Sequence, residues 1–152
     1  MSHHNGPNNF YLCGGDILMF GIPDFKNFDV KLLRFMQIYT LLGAGGFGLV
    51  HLFYPSLFSI VLGAPDNGTI MGDIYVASVF LSFAVMALVT LSEPAKYAPV
   101  AGFQGLYKSL WCVFLIGQVA LGAASFSLHT AVYFAIMLSY AVGDYFVFSR
   151  AQ

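Results

Sequence analysis

The sequence predicts an all-α membrane protein: a four-transmembrane-helix bundle with an N-terminal cytoplasmic tail and a short interfacial helix between the first two spans. Three observations predict it. Hydrophobic residues make up 59% of the 152 and charged residues 9%, against about 25% charged in soluble domains. Four separate stretches approach the roughly 20 apolar residues that cross a bilayer as a helix. The basic residues all fall at one end of such an even-numbered bundle, and the loops at the other end contain no Lys or Arg. A formal net charge of −1 leaves no electrostatic footprint for nucleic acid.

In chain order, residues 1–29 form the tail and 30–152 the membrane domain. The tail opens with an Asn-, Gly- and Pro-bearing stretch and then turns apolar, with Phe10, Tyr11, Leu18, Met19 and Phe20. Exposed apolar surface of this kind marks a docking segment, and the scarcity of basic residues before Lys26 argues against a lipid surface as its target. The run Ile17 to Ile22 is too short, and lacks the preceding basic region, for a cleavable signal peptide.

The first span covers about 30–54 and is closed by Pro55. The run from Ser56 to Leu62 is apolar and short, and reads as an interfacial or re-entrant helix opened by that proline. Asn67-Gly68 after Pro65-Asp66 reads as a turn. The second span covers about 72–91, closed by Ser92-Glu93-Pro94. The third covers about 105–126 and the fourth 128–148. Lys26, Lys31 and Arg34 precede or open the first span, Lys96 and Lys108 lie between the second and third, and Arg150 follows the fourth. The positive-inside rule makes that end cytoplasmic and puts both termini there. The aromatic belt then places Tyr97, Tyr107 and Trp111 toward the inner interface and Tyr54, Tyr75 and Tyr133 toward the outer one. Cys13 in the tail and Cys112 inside the third span are separated by geometry and compartment, so no disulfide is expected.

Lipid removes the hydrophobic drive between helices, so small residues must let backbones approach. Ala131, Ala135, Ser139 and Gly143 recur every four residues along the fourth span. The first carries Gly43, Ala44, Gly45, Gly46 and Gly48, and the third Gly117, Ala120, Ala123 and Ala124. Bundle packing accounts for all three sets. The glycine cluster of the first span also suits a groove for a pigment, a lipid or a partner helix.

Ionisable groups inside a membrane are functional candidates by default. Asp144 lies about one turn inside the end of the fourth span, near the depth of Lys108 and Arg34, and a structural ion pair with one of them is expected. Glu93 belongs to the same inner layer. In the outer layer, His51, Asp73 and His129 share a depth. Two His and a carboxylate suit a metal, and His51 with His129 suit axial ligation of a haem. His51 beside Gly48 also suits a chlorin magnesium. The alternative for interfacial histidines is hydrogen bonding to backbone or water, with no cofactor.

Three segments carry a family resemblance: Gly72 to Phe80, Ser92 to Pro99, and Gln104 to Trp111, whose Tyr107-Lys108-Ser109-Leu110-Trp111 run is the most distinctive. With these the chain resembles a family of small uncharacterised bacterial four-helix integral membrane proteins. The resemblance implies a bacterial inner-membrane location and no particular activity. The apolar tail looks like an addition to that pattern.

No catalytic constellation is present in the sequence. The leading expectation is therefore a non-catalytic accessory or scaffolding subunit of a larger inner-membrane complex, respiratory or photosynthetic, with other membrane subunits as partners. The second expectation is a haem-, pigment- or metal-binding membrane protein using His51 and His129. The third is a small transporter or channel working as an oligomer.

Overall fold

The computed structural model describes residues 24–62 and 70–150. Among these residues the chain forms five helices and no strand: α1 (Val30–Phe53), α2 (Pro55–Leu62), α3 (Ile70–Ser92), α4 (Pro94–Ala120) and α5 (Leu128–Ser149). All but α2 are long and apolar enough to cross a bilayer. At 1.5 Å per residue α2 reaches only about 12 Å.

Each boundary has a local cause. Asp29 caps α1 by accepting from the backbone N–H groups of Lys31 and Leu32 at 2.9 and 3.0 Å. Its own N–H donates to the Val147 carbonyl at 2.8 Å, tying the start of α1 to the end of α5. Pro55 has no N–H with which to continue the ladder, so α1 stops and α2 begins with the proline in its first turn. Ser127 caps α5 by accepting from the Thr130 N–H at 3.2 Å.

The helix of the third span departs from the expected window. It starts at Pro94 and ends at Ala120, where hydropathy pointed to about 105–126. Proline in the first helical position is pre-organised for helix and needs no N–H partner, so helix begins before the apolar run does. Gly122 adopts φ +72°, the left-handed conformation that closes helices, and Ala123 to Phe126 fall in the connection. One consequence corrects the aromatic belt. Trp111 sits far along α4 and meets Tyr133, near the start of α5, edge-on at 4.9 Å. It therefore lies with the expected outer belt rather than the inner one.

Helix α1 packs most extensively along α3, and α4 along α5, while α3 and α4 touch less, with Phe83 of α3 against the Phe103 and Tyr107 rings of α4. Glycine sets the α1–α3 approach. A Cβ added at Gly48 would lie 2.9 Å from Leu81 Cγ and 3.2 Å from the Leu81 backbone nitrogen, and one at Gly45 would lie 3.5 Å from Ala84 Cβ. At the end of the bundle that carries the basic residues, Leu33, Met36, Ala98, Ala101, Tyr140, Val147 and Phe148 form an apolar cluster. Gly143 belongs to this region, because a Cβ there would collide with the Met36 sulfur.

Candidate functional site

Immediately inside that apolar cluster lies a polar layer built by three helices. Helix α1 contributes Gln37 and Thr40, α4 contributes Gln104 and Lys108, and α5 contributes Tyr140 and Asp144. Spacings of three and four residues put each pair on one helix face. Gln37 and Gln104 are 0% exposed, Asp144 1% and Lys108 6%. Lys108 Nζ donates to Asp144 Oδ2 at 2.9 Å and to Thr40 Oγ1 at 3.5 Å. The ammonium also lies over the Tyr140 ring, 4.5 Å from its centroid. Tyr140 is held in turn: its hydroxyl donates to the Tyr39 carbonyl at 2.9 Å, and the two rings stack at 4.0 Å. One turn toward the basic end, Gln37 Nε2 donates to Gln104 Oε1 at 3.3 Å. Gly105 makes room for the carboxylate, since a Cβ there would stand 3.1 Å from Asp144 Cβ.

Sequence reasoning offered Asp144 two basic partners, and the structure places Lys108 against it. Arg34 is exposed. The reason is phase: Leu33, Met36, Gln37 and Thr40 form the buried stripe of α1, and Arg34 lies about 100° round the helix from Leu33. Gln37, Thr40 and Gln104 were not singled out beforehand. Their signal was a polar residue within an apolar helix, three or four positions from another, as Gln104 is from Lys108.

At the opposite end, His51 Nε2 lies 3.2 Å from Asp73 Oδ1 and joins α1 to α3, with side chains 6% and 19% exposed. His129 is exposed in the first turn of α5. Among the described residues no group of three or more His, Cys, Asp or Glu side chains is placed to hold a metal ion. The structure thus joins two of the three outer-layer candidates and leaves His129 outside the pair. A small cavity of about 30 Å³ lies between these layers, bounded in part by Thr40, Gly43, Phe80, Lys108, Met137 and Tyr140.

The α5 stripe does not lie on one buried face. Its Gly143 end packs on Met36, Ala131 is half-buried, and Ala135 and Ser139 are exposed. A four-residue repeat drifts about 40° per step on a 3.6-residue helix, which puts Ala135 about 180° from Asp144. The tail residues Phe10, Tyr11, Leu18, Met19 and Phe20 lie outside the described residues.

Outside the bundle the pattern inverts. Phe35, Leu42, Leu49, Val85, Leu88, Leu106, Val113, Phe114 and Val132 are exposed on the four long helices, while Gln37, Thr40, Thr90, Gln104, Lys108 and Asp144 are buried. Apolar surface outside and polar groups gathered inside is the arrangement that hydrocarbon demands. The fold and site define a multi-pass α-helical membrane protein. Comparison with family models, curated proteins and solved structures finds no match to the chain.

Proposed function

We propose that the protein is a non-catalytic accessory or scaffolding subunit of a larger bacterial inner-membrane complex, with both termini on the cytoplasmic side. The observation that supports this reading is the outward-facing small residue of α5, Ala135. It is exposed about 180° round the helix from Asp144, so the close backbone approach it allows serves a helix from outside this chain. The polar layer fits the same role. Its charges are paired within the chain and hold α4 to α5. The basic residues at one end support the orientation, and the resemblance carried by Tyr107 to Trp111 supports the bacterial membrane. The apolar tail residues Phe10, Tyr11, Leu18, Met19 and Phe20 supply a second docking element.

Native sizing in mild detergent tests the role. The wild-type chain is expected in a species larger than its monomer. Ala135→Leu should release the monomer while leaving helix content and melting unchanged, and Leu138→Ala should not. A wild-type chain that runs as a bare monomer, or an Ala135→Leu chain that keeps its partners, overturns the reading. Reporter fusions at Gly68 and Gln152 test the orientation and should report opposite sides of the membrane.

A further inference from the structure

The polar layer has an unfinished hydrogen-bond inventory. Gln37 Oε1, Gln104 Nε2 and Asp144 Oδ1 are buried and have no hydrogen-bond partner among the described residues. Their side chains converge from three helices within about one turn, because Gln37 bonds Gln104, Gly105 abuts the Asp144 Cβ, and Lys108, one turn from Gln104, holds Asp144. We propose that this layer is a binding site for one internal water molecule, which donates to Asp144 Oδ1 and Gln37 Oε1 and accepts from Gln104 Nε2.

The chemistry selects the ligand. Two acceptors and one donor need a molecule that gives two hydrogen bonds and takes one, and water does both with a lone pair to spare. Exchanging O and N in both amides leaves the requirement unchanged, because the bonded pair always retains one free donor and one free acceptor. A metal cation matches less well: it cannot accept from an amide N–H, and Lys108 already balances the Asp144 charge. The apolar cluster of Leu33, Met36, Ala98, Ala101, Val147 and Phe148 stands between this layer and the basic end of the bundle, so the bound molecule is held apart from bulk water. Its role is to solvate the carboxylate oxygen that Lys108 does not reach, keeping an ion pair ionised inside hydrocarbon. This inference concerns the bundle alone and does not depend on the protein's partners.

Infrared spectroscopy of the full chain in phosphatidylcholine vesicles tests it, by exchange of ordinary water for oxygen-18 water. The wild type should show a narrow O–H stretching band that shifts on exchange. Gln104→Met and Gln37→Met should each lose that band, and Asp73→Asn at the far end should keep it. A wild-type spectrum with no isotope-sensitive internal band overturns the proposal, even if a variant fails to fold. A band that persists in both glutamine variants overturns it as well, because the water then lies elsewhere.

Discussion

Helix α1 is held by two interfaces made in opposite ways. Toward α3 it presents glycine, and the contact is a close backbone approach at Gly48 and Gly45. Toward α4 and α5 it presents Gln37 and Thr40, and there the packing of Met36 on Gly143 is joined by directed bonds ending at the Lys108–Asp144 pair. Both answer one problem, since apolar side chains gain nothing from each other that lipid does not already supply. The first solution depends on volume and tolerates no added carbon. The second depends on partners, and tolerates the loss of both better than the loss of one.

The largest effect should come from breaking the polar interface on one side. Lys108→Met leaves Asp144 buried and unpaired, at a cost of about 3–5 kcal/mol. Adding Asp144→Leu should recover much of that loss, because the uncompensated charge is gone. Equilibrium unfolding in mixed micelles measures both. Additive losses would show that the two residues act separately and that the polar interface does not work through their pairing.

Next in size is the glycine interface. Gly48→Ala should cost about 1–3 kcal/mol, the usual range for overpacking, because the new carbon meets the Leu81 backbone as well as its side chain. Gly46→Ala is the control. A Cβ at Gly46 meets nothing within 4 Å, and alanine is the better helix former by about 1 kcal/mol. Equal destabilisation by the two substitutions would mean that closeness to α3 does not decide the outcome.

The smallest effect should come from the outer pair. Asp73→Asn weakens the link from His51 to α3, and polar links between membrane helices average about 0.6 kcal/mol. A loss as large as that of Lys108→Met would move the centre of the polar architecture to the outer end.

Much of this was legible in the chain. Hydropathy marked the four spans because a bilayer imposes length and composition on each segment separately. Pro55 marked a helix start, since a missing N–H has the same meaning in any fold, whereas Pro94 marked only the close of the second span. Two features misled. The opening of α4, from Pro94 to Gln104, lowered its hydropathy and hid about three turns of helix, which displaced Trp111. The four-residue period on α5 looked like one face, but it drifts round the helix, so Gly143 packs on Met36 and Ser139 meets the Tyr39 hydroxyl at 3.2 Å, while Ala135 turns away from α1.

The sequence by itself determined that this is a four-span membrane protein with its basic residues at one end, because those properties are summed along the chain without reference to neighbours. Only the tertiary structure decided which groups meet. It gave Asp144 to Lys108 rather than Arg34, paired Gln37 with Gln104, joined His51 to Asp73 without His129, and turned Ala135 outward. Each outcome depends on helix phase, and in hydrocarbon phase is set by what the neighbouring helices offer: room for a backbone, or a partner for a polar atom.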